Sequence, residues 1–452
     1  MNKLTQIQKI YFIGIGGIGM SALARYFLSK GVVVSGYDKT VTALTAALEK
    51  EGIPIHYEEN LLLAPKDADV VVYTPAIPEQ HTELVYYRQN GYTVVKRSDI
   101  LQWITENSFN ICVAGTHGKT TVSSMVAHIL RHSEYGCNAF LGGITANYNT
   151  NFWSHERNIV VVEADEYDRS FLKLSPDVAV ITSMDPDHLD IYGTAAEVEK
   201  AFVEFSQKVK EGGCLITKLG LSREADLKAA HHYTYDYQNT AADTHLQHLQ
   251  VKDGSYYFTV IGKNWQLSEM VMHMGGLHNI DNILAAITVA KHLGIPDSRI
   301  RDAVAAFKGV RRRFEYALKN KQHILIDDYA HHPEELNALI SGVRSIFPEE
   351  KLTLVFQPHL FSRTKDQADG FAASLDKADE VLLLPVYPAR ELPMEGVTSD
   401  LLLDKMNLAH KRVIGKTALL EWMEEHQPKL VVMAGAGDID AMVQKVKIIL
   451  DK

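Results

Sequence analysis

Uninterrupted apolar segments are missing from this sequence: no stretch reaches the roughly 18 residues that a membrane-spanning helix needs. A chain with no membrane partner, working in the cytoplasm, is therefore expected. The apolar run that starts at Ile10 has a signal-peptide look, but Gly14, Gly16, Gly17 and Gly19 break it into a strand-turn-helix rhythm. Cysteine is scarce. Cys112, Cys137 and Cys214 are odd in number and form no C-x-x-C pair, which argues against a disulfide framework or a zinc site and for a reducing compartment. Positive charge is thin as well: 46 Lys and Arg against 56 Asp and Glu leave a net charge of -10. The longest basic run is Arg311-Arg312-Arg313, too little for a nucleic-acid partner. No H-E-x-x-H motif, fixed-period repeat or low-complexity tract occurs.

What is present is length and rhythm. A chain of 452 residues has room for about three domains. Short, uniformly apolar runs such as "KIYFIGI", "DVVVYT", "NIVVVEAD", "DVAVITSMD", "HILIDDY" and "LVVMAGAG" alternate with helical patterns. Strands apolar on both faces indicate parallel sheets covered by helices, so the fold class expected is α/β in three domains, residues 1–107, 108–313 and 314–452. Between His245 and Met274 the pattern alternates and turns at Asp253-Gly254, which predicts an antiparallel hairpin beside the central sheet. Helices are predicted over 279–293 and 297–307.

Two glycine-rich turns carry the chemistry. In Gly115-Thr116-His117-Gly118-Lys119-Thr120-Thr121 the order resembles G-x-x-x-x-G-K-[ST], but Val113 stands where the first glycine belongs. An apolar strand precedes this shortened loop and an apolar helix follows. Backbone N–H groups at such a helix start can hold phosphate oxygens, Lys119 can neutralise charge between them, and Thr120 can face Mg²⁺. Upstream, Gly14-x-Gly16-x-x-Gly19 matches the dinucleotide fingerprint, and Asp38 ends the next strand where a ribose-binding acid lies. The same geometry receives any pyrophosphate, so it does not separate NAD from a nucleotide sugar.

Acids at strand ends complete a site for a metal and phosphates: Glu163, Asp165 and Glu166 in one run, Asp185, Asp187, His188 and Asp190 in another. His278, Asn279 and Asn282 open an apolar helix, where an asparagine either caps the helix or meets an adenine edge. Arg311 to Arg313 form a cationic stretch at a domain junction, suited to a γ-phosphate. In the third domain one of His331 and His332, with His359 and Arg363, fits a pocket for a small zwitterion.

Taken in order, "GIGGIGMSALA", "GTHGKTT", "EADEYDRSF", "MDPDHLDIYG", "HNIDN", "RRRFE", "DDYAHHP", "FQPHLFSRT" and "AGAGDID" resemble the Mur ligases of bacterial cell-wall synthesis across essentially the whole chain. The resemblance implies a Rossmann-like domain for a UDP-sugar, a central P-loop ATPase domain and a Rossmann-like domain bringing an amino acid. It implies an ATP-dependent carboxylate–amine ligase that joins L-alanine to UDP-N-acetylmuramate through an acyl phosphate. Gly14, Gly16, Gly17, Gly19, Asp38 and Thr74 would bind the UDP-sugar. Residues Gly115 to Thr121, Asn279, Asn282 and Arg313 would bind ATP. Thr120 and Glu163 would face one Mg²⁺ and His188 a second, with Mn²⁺ as the alternative ion. Lys119, His188, Arg313 and Asp328 would be catalytic. Tyr329, His331, His359 and Arg363 would line the amino-acid pocket. The family commonly has arginine where Leu360 stands, which moves the holding of the alanine carboxylate onto Arg363, aided by His359 or Arg390. Three rival readings are a ligase that recycles murein tripeptide, an NAD(P)-dependent oxidoreductase, and a nucleotide switch without ligase chemistry. A monomer or a homodimer is expected.

Overall fold

The structure is a computed structural model that describes residues 3–389 and 391–452. Strands rich in Val and Ile form three sheets. The first runs Ile55–His56, Val33–Tyr37, Lys9–Ile13, Val70–Tyr73, Thr93–Lys96, all parallel. The third runs Glu315–Lys319, Ile324–Asp328, Leu430–Ala434, Leu352–Phe356, Glu380–Leu383, Lys411–Val413, parallel except for its first, antiparallel member. Its strand Leu430–Ala434 is fully buried, as uniformly apolar parallel strands require.

The second sheet has ten strands. Its parallel centre places Cys214–Lys218, Val178–Ile181, Phe109–Ala114 and Ile159–Glu163 side by side. Both edges correct the reading of the sequence. The expected hairpin is a three-strand meander, Thr244–Lys252, Ser255–Gly262 and Trp265–Met272, with two-residue connections. Asp253 and Gly254 both have positive φ, as a tight primed turn demands. At the other edge Asn138–Thr145 pairs antiparallel with Thr150–Trp153, an unpredicted hairpin. The helix predicted from 279 spans Leu277–His292, and that predicted over 297–307 spans Asp297–Ala306.

The chain divides into two compact units. One runs to Gln247 and takes in Thr259–Met270 and Asp281–Ala306; the other comprises His248–Phe258, Val271–Ile280 and Phe307–Lys452. Within the first unit one apolar core serves both sheets, from Phe12 and Phe27 through Ile100 to Phe140, Phe171 and Phe202. Its polar fastening is Asn151, which is fully buried. Asn151 Nδ2 donates to Ile18 O at 2.6 Å and Ser21 Oγ at 3.1 Å, and its Oδ1 accepts from Arg25 Nη1 at 2.6 Å. This ties the helix Ile18–Ser29, which follows the first glycine-rich turn, to the central sheet. Among the described residues no helix is long and apolar enough to cross a membrane.

Candidate active site

The shortened loop joins the buried strand Phe109–Ala114 to the helix Lys119–His132. Gly115 and Gly118 have φ of 134° and 83°, a region open to glycine. A Cβ on Gly115 would stand 2.0 Å from Thr182 Oγ1, and one on Gly118 would stand 2.8 Å from Asn282 Oδ1. The loop is fastened from the next strand end: Ser183 Oγ lies 2.9 Å from Thr116 Oγ1 and accepts from His117 N at 2.8 Å. Sequence reasoning missed Thr182 and Ser183, although adjacent hydroxyls at a strand end are a legible signal. Thr121 is buried, and the His117 side chain reaches within 3.8 Å of Asp185.

Lys119 Nζ donates to Gly115 O at 2.7 Å and lies 2.8 Å from both carboxylate oxygens of Glu166. Glu166 is fully buried, and burial raises its pKa even though Lys119 pulls it down. Beside this pair, Thr120 Oγ1 donates to Glu163 Oε1 at 3.0 Å while Glu163 Oε2 accepts from Gly142 N at 2.9 Å. His188 Nε2 sits 3.8 Å from Glu166 Oε1 and 3.7 Å from Asp187 Oδ2. One ligand atom from each of Glu166, Asp187 and His188 falls within 4.8 Å of the others, an arrangement able to hold a cation. The donor sets fit hard ions, a hydroxyl with a carboxylate in one place and two carboxylates with an imidazole in the other. The structure thus brings Lys119, Thr120, Glu163 and His188 together and adds Glu166, whose pairing with Lys119 the sequence reading did not assign. The side chain of Asp190 lies outside what is described, as does Arg390.

Asn279 and Asn282 are both buried. Asn279 Nδ2 donates to Gly275 O at 2.7 Å, a local contact at the start of its own helix. Asn282 faces the phosphate loop through Gly118.

In the first turn Gly14 has φ of 87°, and a Cβ there would stand 2.9 Å from Thr74 Cγ2. Asp38, expected to face a ribose, accepts from Gly16 N at 2.8 Å and from Thr40 N at 3.1 Å. Its carboxylate occupies a loop N–H of the kind that phosphate oxygens take.

The second unit gathers the remaining candidates. Tyr329, His331, His359 and Tyr387 form a chain of ring contacts with centroids 5.1, 6.1 and 5.8 Å apart. Arg363 Nη1 donates to His359 Nδ1 at 3.2 Å. His331 Nδ1 contacts Tyr329 O at 2.9 Å and Glu335 Oε2 at 3.2 Å, and burial drives its pKa down to about 4. Arg313 lies over the Tyr329 ring, 5.5 Å from its centroid. Asp328 binds two backbone donors, Phe314 N at 2.7 Å and Ala330 N at 2.8 Å, and burial raises its pKa to about 6. Leu360 adopts φ 69°, ψ 135°, a backbone conformation rare for a branched side chain.

Comparison with known proteins sets this geometry in context. Three family models match in order: "Mur ligase family, catalytic domain" over residues 9–108, "Mur ligase middle domain" over 113–290 and "Mur ligase, glutamate ligase domain" over 312–439. The chain is 47% identical to UDP-N-acetylmuramate--L-alanine ligase of Cytophaga hutchinsonii, covering 100% of this chain and 98% of that one. It is also 47% identical to the protein of that name in Flavobacterium johnsoniae, covering 100% and 99%. Among solved structures it is similar to UDP-N-acetylmuramate-alanine ligase of Thermotoga maritima, at 29% identity and a TM-score of 0.82, covering 97% of this chain and 98% of that one. A murein peptide ligase of Psychrobacter arcticus shares the fold, at 22% identity and a TM-score of 0.71 over 98% of each chain. The oxidoreductase reading of the first glycine-rich turn falls here, because that turn lies inside a ligase domain.

Proposed function

This chain belongs to the Mur ligase family, and on that premise we propose that it joins L-alanine to UDP-N-acetylmuramate with conversion of ATP to ADP and phosphate. The observation that carries the reading is the meeting of Lys119, Thr120, Glu163, Glu166 and His188 around one shortened phosphate loop. In a chain this similar over its full length to alanine-adding ligases, that cradle suits an ATP-driven acyl transfer.

A carboxylate resists attack by an amine until one of its oxygens becomes a good leaving group. Transfer of the γ-phosphoryl group to the lactoyl carboxylate supplies that group; the alanine amine then adds to the acyl carbon and phosphate departs. The backbone N–H groups of 115–118 and the Lys119 ammonium would meet the charge that builds on the phosphates, and Arg313 would take part of it. Thr120 with Glu163 would hold one Mg²⁺, and His188 with Glu166 and Asp187 a second, with Mn²⁺ as a substitute; a bound ion supplies charge neutralisation between phosphate oxygens. In the second unit Arg363 would pair with the alanine carboxylate. His331, kept neutral by burial, would line the pocket without repelling an ammonium. Asp38 would give up Gly16 N to the substrate's pyrophosphate. Action in the cytoplasm accords with three buried, unpaired cysteines.

The test is phosphate release from ATP and UDP-N-acetylmuramate, run against L-alanine, glycine, L-serine and murein tripeptide. Release that depends on L-alanine is expected. Release with the tripeptide and none with L-alanine would transfer the chain to the recycling reaction, and release with no acceptor at all would leave a nucleotide switch.

A further inference from the structure

The helix Leu277–His292 is packed in apolar surroundings, with Ile283, Leu284, Ala286, Ile287 and Val289 all buried. Apolar contacts are non-directional, whereas a hydrogen bond holds one distance and a narrow range of angles. Asp281 and Thr288, seven residues apart on one face, supply such bonds. Asp281 is buried; its Oδ2 accepts from Lys218 Nζ at 2.5 Å and its Oδ1 from Tyr237 N at 3.0 Å. Thr288 Oγ1 lies 3.1 Å from Thr244 Oγ1. Burial raises the pKa of Asp281 and Lys218 pulls it back, so the lysine is what keeps a carboxylate in this place.

The pair stands at the edge of the central sheet that carries the phosphate loop, inside a single unit. Ala114, Ile181 and Thr217 are register partners, so Gly115, Thr182 and Lys218, each the next residue, leave the sheet along one line. Lys218 is two strand spacings, about 10 Å, from the loop. Tyr237 follows the strand His231–Asp236, the next one outward. On the helix the residue after Asp281 is Asn282, about 100° further round. It is buried and faces the loop, where a Cβ on Gly118 would stand 2.8 Å from its Oδ1. One residue thus ties the helix to the far strands while its neighbour presents an amide to the phosphate loop.

Resting on the reading that Asn282 serves the adenine of ATP, we propose that Asp281, paired with Lys218, is a positioning residue that sets where the Asn282 amide stands over the phosphate loop, and so how the nucleotide's base is recognised. The pair is neutral in sum and two strands away from the loop, so it leaves the charge that meets the phosphates unchanged and acts through Asn282. An amide offers its donor and its acceptor to a purine edge at one distance and angle, and a small turn of the helix about its axis is enough to spoil both.

The experiment measures binding of magnesium-ATP and of magnesium tripolyphosphate, which has the phosphates without the base, to the full chain. The variants are Asp281→Asn, Lys218→Met, Asn282→Ala and the double variant Asp281→Asn with Asn282→Ala. Asp281→Asn keeps the side-chain volume and an acceptor for Tyr237 N but loses the ion pair. It should bind ATP about tenfold more weakly, as should Lys218→Met, with tripolyphosphate unchanged. In the double variant Asp281→Asn should add no loss to that of Asn282→Ala, because a residue that acts through another then has nothing to position. Wild-type affinity for ATP in Asp281→Asn would overturn the proposal, and so would losses that multiply in the double variant. An equal loss of ATP and tripolyphosphate with a lowered thermal midpoint would also overturn it, making the pair a part of the general scaffold. An Asn282→Ala variant that binds ATP as wild type does would instead bring down the base site on which the proposal rests, and a wild-type chain that binds no ATP would bring down the functional reading itself.

Discussion

Lys119 meets a carboxylate within the chain: Glu166 lies 2.8 Å away with both oxygens. Removing the ammonium leaves Glu166 buried without its cation and, on the proposed function, would strip charge stabilisation from the transition state. Lys119→Ala should lower turnover by on the order of a hundredfold or more while circular dichroism stays native; turnover within a few-fold of wild type would exclude Lys119 from the chemistry. At the other pocket, Leu360 supplies no second guanidinium, and Arg363 already stands against His359. Charge-assisted pairs contribute roughly 1.5 to 3 kcal/mol, whereas burying a methyl contributes about 1 kcal/mol. Arg363→Ala should thus raise the KM for L-alanine at least about tenfold and leave those for ATP and UDP-N-acetylmuramate nearly unchanged. Three KM values rising together would remove Arg363 from the carboxylate.

Elements joined by glycine turns were legible in the sequence because glycine marks where the backbone needs φ above zero. Gly14 and Gly118 both have it. The central strands were legible for a related reason: uniformly apolar runs fit only a sheet covered on both faces. The hairpin 138–153 was not, because "GGITANYNTN" lacks the alternation that marks a half-buried strand, and its pairing depends on Phe140 and Phe152 meeting Tyr26 of a distant helix. The grouping of Thr120 with Glu163 was legible, but other partnerships across the chain were not. That Glu166 faces Lys119 and Asp38 faces Gly16 follows from loop paths rather than from residue type or spacing. Asn151 belongs to the same class, a polar residue in an unpredicted strand that fastens the helix Ile18–Ser29. Asn151→Ala strands its buried partners, at a cost on the order of 1–3 kcal/mol. A lower thermal midpoint with faster amide exchange around residues 18–25 should follow, and unchanged exchange there would mean that the aromatic packing alone holds the helix.

Over the whole molecule, burial sets two titrations of opposite sign against each other. Asp327 is buried with Arg312 Nε 3.8 Å away, and burial raises its pKa to about 7. An aspartate of the unfolded chain titrates near 4 (~3.9). Between those values the folded chain keeps a proton that the unfolded chain has released, so this group's stability is present at low pH and lost as pH rises through about 7. His128, His278 and His331, each pushed down to about 4 by burial, act the other way, with stability lost as pH falls through that value. Comparing Asp327→Asn with wild type cancels the histidines. The variant's thermal midpoint should exceed wild type at pH 8, and the gap should narrow as pH falls below about 7 and close only near pH 4 (~3.9); a gap independent of pH would show that Asp327 does not titrate with folding. The core shared by the first two sheets bears on how such melting curves divide. Motifs and family boundaries cut the chain near residue 108, yet Phe12, Phe27, Phe140 and Phe171 lie in one apolar cluster. Modularity of inheritance is then not modularity of folding: residues up to 247 have no seam at which half could melt and leave the other half standing. A fragment ending near 107 would expose the face of Tyr26 that Phe140 and Phe152 cover, and would be recovered as aggregate rather than as a free-standing sugar-nucleotide module.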